Sequence, residues 1–323
     1  MTDIAAIRAA AARLAPVVRR TPLLESPFLN DIAGRRVLVK AECLQHTGSF
    51  KFRGAWSAIS AMAPEVRARG VFAYSSGNHA QGMAYAAKLH GIPAVILMPE
   101  DAPRLKLANT AALGAEVVTY DRYSESREEI GAKLAAERGL TLVKPYDEPM
   151  VIAGQGTAGL EIAEQAAEAG VSAADVAVCA GGGGLATGVA LALAAEAPGL
   201  RVRTAEPADY DDWAVSLTKK QRTPAAGGRK SICDAIVTPE PGEITFPILS
   251  TLAGPGLTVS DDDALRAMSL AYERLKIVVE PGGAVALAAA LFQPQAFEGD
   301  AVIALATGGN VDREIFARAL AMT

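Results

Sequence analysis

Short apolar runs at residues 37–39, 71–74, 94–98, 116–120, 176–180, 201–205 and 302–306 alternate along the chain with segments of helical pattern. Strands that are each followed by a helix cannot close as hairpins, so they pair in parallel, in sheets covered by helices. This alternation is what most limits the possible folds: it predicts an α/β architecture with mostly parallel sheets. The stretch of roughly 80 residues from Gly70 to Pro149 contains four short strand candidates, enough for a small sheet of its own. A helix is expected before the first strand.

Three of the turns that leave these strands carry chemistry. Lys51 lies in Gln45-His46-Thr47-Gly48-Ser49-Phe50-Lys51-Phe52-Arg53-Gly54, after the apolar stretch 36–41 and at the start of a helical segment. Thr47 and Ser49 are expected to cap that helix, so the amine would meet free backbone N–H groups and a positive dipole end, which disfavour its protonated form. A neutral lysine is a nucleophile able to form a Schiff base. After the 71–74 strand comes Ser75-Ser76-Gly77-Asn78-His79, and after the 176–180 strand Gly181-Gly182-Gly183-Gly184-Leu185. Both place successive N–H groups at a helix start, where they favour an anion, one a phosphate and the other a carboxylate.

Thr47-Gly48-Ser49-Phe50-Lys51, Ser75-Ser76-Gly77-Asn78-His79, the four glycines and Thr307-Gly308-Gly309-Asn310 together resemble the signatures of the fold-type II pyridoxal-phosphate enzymes, specifically the serine/threonine dehydratase and serine racemase group. The resemblance runs through nearly the whole chain in the family's order. It implies a tryptophan-synthase-β-like fold of two domains, a large one of residues 1–68 and 150–323 and a small one, 69–149, inserted in it. It also implies dehydration and deamination of a β-hydroxy amino acid such as L-serine, L-threonine or 3-hydroxyaspartate, giving a keto acid and ammonia. A serine or aspartate racemase and a 3-hydroxyaspartate dehydratase are the rivals within the class.

By the same resemblance, Lys51 holds pyridoxal phosphate and then removes the Cα proton. Phe50, Gly181, Gly182, Gly183, Gly184, Leu185 and Glu280 surround the cofactor, Asn78 meets its ring hydroxyl, and Thr307 meets its pyridine nitrogen. Ser75, Ser76, Gly77 and His79 receive the substrate carboxylate, with Ser76 matching the racemases' second acid/base. Glu206, the Tyr210 carbonyl and Asp212 match the cation site of serine racemase relatives, with oxygen ligands that suit Mg²⁺, Ca²⁺ or Mn²⁺. A solvated acidic loop is the alternative there. Two departures put substrate identity in doubt: Glu280-Pro281-Gly282-Gly283-Ala284 stands where relatives have Glu-Pro-Thr-Ala-Gly, and Cys233-Asp234-Ala235 where they have Ala-Asp-Gly. Relatives are commonly dimers. One helix follows Asp312, so the added C-terminal regulatory domain of biosynthetic threonine deaminases is not expected.

A reading from a different class uses only the middle of the chain. Gly181-Gly182-Gly183-Gly184-Leu185-Ala186 fits G-x-G-x-x-A after a strand, and Glu206 ends the next strand at the spacing of a ribose-binding acid, which together describe the dinucleotide site of an oxidoreductase. That reading leaves Lys51, the 75–79 loop and Thr307 without a role. Net charge is −5, with no basic block or aromatic stripe of the kind nucleic acid requires. The basic segment 218–231 reads as a solvated loop. No apolar run spans a bilayer and the first residues lack signal-peptide regions, so the expected location is the cytoplasm. Cys43, Cys179 and Cys233 are spaced for neither disulfides nor zinc and are expected to be buried thiols.

Overall fold

The computed structural model describes residues 2–102, 104–121, 123–226 and 230–322. Of the basic 218–231 segment, Gly227, Gly228 and Arg229 lie outside the described residues, and its first residues close the helix Asp212–Lys219. The expected first helix is Ile4–Leu14, capped by Asp3, whose carboxylate accepts the Ala6 N–H at 2.8 Å.

Among the described residues ten strands form two sheets. β1 (Leu23–Glu25), β2 (Arg36–Lys40), β7 (Ala174–Cys179), β8 (Leu200–Pro207), β9 (Leu257–Val259) and β10 (Ala301–Leu305) make a six-stranded sheet in the order β1-β2-β10-β7-β8-β9. β3 (Val71–Tyr74), β4 (Ala94–Pro99), β5 (Glu116–Tyr120) and β6 (Thr141–Leu142) make the second, in the order β5-β4-β3-β6. Every pairing is parallel except β1 with β2. The protein is therefore α/β, as the alternation requires. The fourth strand expected between Gly70 and Pro149, which the pattern does not locate, is the two-residue β6.

Apolar side chains alternate to both faces of the large sheet: Val37, Val39, Ala177, Val302 and Ala304 enter one core, and Leu38, Val176, Val178, Ile303 and Leu305 the other. Each fully buried Val, Leu or Ile contributes about 1.5–3 kcal/mol relative to exposure. A third core, around Phe52, Met83, Ile96 and Met98, joins the smaller sheet to the helix Lys51–Ser60. This frame fixes where loops can act. In parallel sheets the turns leaving the carboxyl ends lie on one side, and the turns after β2, β7, β8 and β10 bring their residues there together.

Candidate active site

Lys51 is positioned by two turns zipped to each other. Ser49 bridges Gly308, the Phe50 N–H donates to the Thr307 carbonyl at 3.1 Å, and the Gly309 N–H donates to the Gly48 carbonyl at 2.9 Å. The turn after β2 thus pairs with the turn after β10. This pairing holds Thr47 in the left-handed region, at φ 58°, and corrects the expected cap: Phe50 is the N-cap residue, with no side-chain bond, and the hydroxyls of Thr47 and Ser49 are buried without a partner. The Lys51 Nζ donates to the Pro145 carbonyl at 3.1 Å and lies 5.2 Å from the centre of the Phe50 ring. Its pKa is pushed down to about 8 by burial, against the pull of the Glu280 carboxylate. The direction is the expected one. The cause is removal from water, with no part needed from the helix dipole.

The Ser75-to-His79 turn leaves β3 and enters the helix Asn78–His90. That helix reaches Lys51 because residue 82 is glycine: a Cβ there would stand 3.1 Å from the Lys51 carbonyl carbon. Asn78 donates to Glu280 Oε1 at 2.5 Å and accepts from Asn310 Nδ2 at 2.7 Å. Burial raises Glu280 to about 7, and the Asn78 hydrogen bond opposes the rise. His79 is buried, with Nε2 3.0 Å from the Val143 carbonyl and Nδ1 without a partner. Burial and then the nearby Lys51 charge push it down to about 3, so it is neutral, carries its proton on Nε2 and offers Nδ1 only as an acceptor. The Gly77 N–H donates to Ser75 Oγ at 3.3 Å, and Ser76 is partly exposed.

The glycine turn follows β7 and opens the helix Gly184–Glu196, with Gly183 at φ 86°. Its carbonyls are turned away from the helix start: Gly181 accepts from Trp213 Nε1, and Gly182 from Thr245 Oγ1 at 2.7 Å. Among the described residues none of the amides of Gly181, Gly182, Gly183 and Gly184 donates a hydrogen bond. A Cβ on Gly182 would strike the Tyr146 ring, and one on Gly183 the Trp213 indole. Leu185 is buried in the first turn of the helix. Thr307 is buried beside the Cys179 thiol, its N–H donating to Gly283 O at 3.3 Å. All three cysteines are buried free thiols.

The structure therefore joins Lys51, Phe50, Asn78, Glu280 and the Thr307 turn in one hydrogen-bonded group, and connects them to the glycine turn through Pro145 and Tyr146. Neither Pro145 nor Tyr146 stands out in the sequence; only the Pro145-to-Pro149 run, a turn signal before a helix, marks the place. The Glu206, Tyr210 and Asp212 loop is a separate cluster. Glu206 accepts the N–H groups of Trp213 at 2.8 Å and Ala214 at 2.9 Å, capping the helix Asp212–Lys219. Asp212 Oδ2 is buried without a partner. Burial and Asp212 push the Glu206 carboxyl well up, and burial and then Asp211 push Asp212 up to about 7. Tyr210 turns back on β8, its N–H 2.9 Å from the Pro207 carbonyl. Among the described residues no group of three or more His, Cys, Asp or Glu side chains is arranged for a metal. The Glu206 carboxylate is spent on a helix start, so the dinucleotide reading loses its ribose partner.

A lysine amine lowered by burial, set near a helix start whose amides are free and whose glycines admit no side chain, is what an aldehyde carrying a phosphate requires of its protein. The residues present fit pyridoxal phosphate. The profile of the family described as pyridoxal-phosphate dependent enzyme matches residues 14–308. The L-threo-3-hydroxyaspartate ammonia-lyase of Saccharomyces cerevisiae is 43% identical over 309 residues, covering 94% of this chain and 92% of that protein. The serine racemase of Arabidopsis thaliana is 39% identical over 322 residues, covering 96% and 93%. The solved T.th. threonine deaminase superposes with a TM-score of 0.90 at 44% identity, covering 96% of this chain and 99% of that one. The chain belongs to the pyridoxal-phosphate-dependent enzyme family, in its fold-type II branch.

Proposed function

We propose that this enzyme removes water and ammonia from a β-hydroxy amino acid, with L-serine, L-threonine and 3-hydroxyaspartate as the candidate substrates. The observation that carries the reading is the Lys51 amine, desolvated by burial and held on Pro145 O, in a chain whose relatives include 3-hydroxyaspartate ammonia-lyases. When bound, pyridoxal phosphate supplies the electron sink that makes a Cα proton removable. Lys51 takes that proton. The free amides of the glycine turn, with Leu185 behind them, hold the phosphate, and Asn78, fixed by Glu280 and Asn310, orients the ring through its hydroxyl. Phe50 packs on the ring. Thr307 would meet the pyridine nitrogen with a neutral hydroxyl, a partner that would leave it unprotonated and the sink weaker. Ser75, Ser76, Gly77 and His79 bind the substrate's α-carboxylate, with the N–H groups and hydroxyls donating, since His79 has no free proton. Release of ammonia and keto acid from serine, threonine and each 3-hydroxyaspartate isomer tests this; no release from any of them overturns it.

A second reading, racemisation, is favoured by Ser76, whose partly exposed hydroxyl has no hydrogen bond among the described residues. Ser76→Ala should cut racemisation by about 10²-fold while dehydration of the L-substrate falls far less, because Lys51 alone serves the L face. Both rates on one preparation decide it; equal losses assign Ser76 to carboxylate binding alone.

We infer a division into domains 1–68 with 150–323 and 69–149, a reading supported by the two separate sheets. Phe28 and Ile32, exposed one helical turn apart, support a homodimer. No helix among the described residues is long and apolar enough to cross a membrane, in keeping with a cytoplasmic enzyme. The Glu206 and Asp212 carboxyls, buried side by side without a salt bridge among the described residues, favour a divalent cation held with the Tyr210 carbonyl. Chelation should lower stability by roughly 3 kcal/mol relative to enzyme with ion at about a hundred times its Kd, Mg²⁺, Ca²⁺ or Mn²⁺ should restore it, and Asp212→Ala should abolish the response. Melting curves that chelator leaves unmoved would leave two buried carboxyls without an ion.

A further inference from the structure

β-Elimination of water needs two proton movements, one off Cα and one onto the departing oxygen, because hydroxide is a poor leaving group. Lys51 accounts for the first. For the second, His79 spends its only proton on Val143 O, Glu280 is held by the Asn78 amide, and the unbonded Ser76 hydroxyl belongs to the turn assigned to the substrate carboxylate. Tyr146 is not committed. It follows Pro145, whose carbonyl holds the Lys51 amine, and its ring lies against Gly182 of the glycine turn.

The segment around Tyr146 is fixed from both sides. The Asp147 carboxylate accepts the N–H groups of Ile244 at 2.8 Å and Glu243 at 3.1 Å, and the Glu148 carboxylate accepts the Val151 N–H at 2.7 Å. The ring is partly buried, and its hydroxyl makes no hydrogen bond with any described residue. Burial, and then the Asp147 carboxylate, hold the phenol above its usual pKa, so at neutral pH it keeps its proton.

We propose that the Tyr146 hydroxyl is the acid that protonates the leaving β-hydroxyl. The proposal rests on the dehydratase reading and names a further catalytic residue for it. As Lys51 takes the Cα proton, the C–H electron pair becomes the Cα=Cβ bond. The Cβ–O pair goes to the oxygen, which takes the phenol proton and leaves as water. The proton collected by Lys51 then restores the phenol, and the enzyme ends as it began.

The test compares leaving groups in Tyr146→Phe holoenzyme, a substitution that keeps the ring on Gly182. Elimination from the β-hydroxy substrate should fall by about 10²-fold, while elimination of chloride from β-chloro-L-alanine, which leaves without a proton, should stay within about threefold of wild type. Unreacted hydroxy substrate recovered from D₂O should carry more Cα deuterium per turnover than with wild type, since proton removal continues while departure stalls. The ratio of the two elimination rates does not depend on how much of the variant is folded. Equal loss on both substrates would make Tyr146 a packing residue, and no loss on either would remove it from the reaction; both overturn the proposal. Wild-type enzyme inert toward both substrates would instead overturn the dehydratase reading itself.

Discussion

Lys51→Ala should leave a folded protein with turnover lower by about four orders of magnitude, because the variant loses both the covalent hold on the cofactor and the base at Cα. Folding is spared because among the described residues the Lys51 side chain makes one hydrogen bond, to Pro145 O, and the turn that carries it is held by backbone bonds to Gly48 O and Thr307 O. In the wild type, borohydride followed by peptide mass spectrometry should find the cofactor's pyridoxyl group on Lys51 and on no other lysine. Label elsewhere would sink the assignment. The environment of the amine adds a pH signature. With a pKa of about 8, roughly one Lys51 in ten is neutral at pH 7, against about three in ten thousand for an ordinary lysine. Cofactor uptake by cofactor-free enzyme should therefore climb about tenfold per pH unit below pH 8 and level off above it, since only the neutral amine attacks. A rate that keeps climbing tenfold per unit through pH 9, as for an ordinary lysine, would mean that burial does not lower this amine.

How much of this was legible beforehand depends on whether the information is local. The central strands β2, β3, β4, β7, β8 and β10 announce themselves because residues buried on both faces must be apolar in an unbroken run, and the edge strand β5 because Val117, Val118 and Thr119 are β-branched. β1, β6 and β9 are two or three residues long and lie at sheet edges, where no run is required. The turns bearing Lys51, Asn78 and the four glycines are legible because each follows a strand and opens a helix. The failed cap is the instructive case. Thr47 and Ser49 have the right chemistry at the right spacing, but the bridge from Ser49 to Gly308 dictates their backbone, and nothing near residue 49 encodes that partner. For the same reason the Asn78–Glu280 bond and the place of Tyr146 against Gly182 could not be read: their partners are distant in sequence and the residues themselves are ordinary.

The same non-local logic governs the largest expected change in stability, from Arg53→Met. Arg53 is fully buried two residues past Lys51, on the helix Lys51–Ser60. It donates to both Glu42 oxygens at 2.8 Å, and to the two Glu161 oxygens at 2.8 and 2.9 Å. The buried Lys40 ammonium completes the group on Glu161, and the Thr21 hydroxyl donates to Glu42. The two positive and two negative charges cancel, so the cluster is tolerable only when whole. Burial alone would raise Glu42, yet Arg53, aided by Lys40, holds it below its ordinary value. Its contribution is therefore present above the unfolded carboxylate pKa and lost as pH falls through the folded one. Methionine at position 53 strands a buried carboxylate, at a cost of about 3–5 kcal/mol read from the denaturation midpoint. Arg53→Lys should recover only part of it, because one ammonium cannot replace the two-pronged contact. The sign of the pH response should also invert: with its cation gone Glu42 rises above its unfolded pKa, so mild acid stabilises the variant while it destabilises the wild type. Adding Glu42→Gln to Arg53→Met should restore stability, since it removes the orphaned charge. If the double variant is less stable than the single one, shape and not charge holds this side of the Lys51 helix.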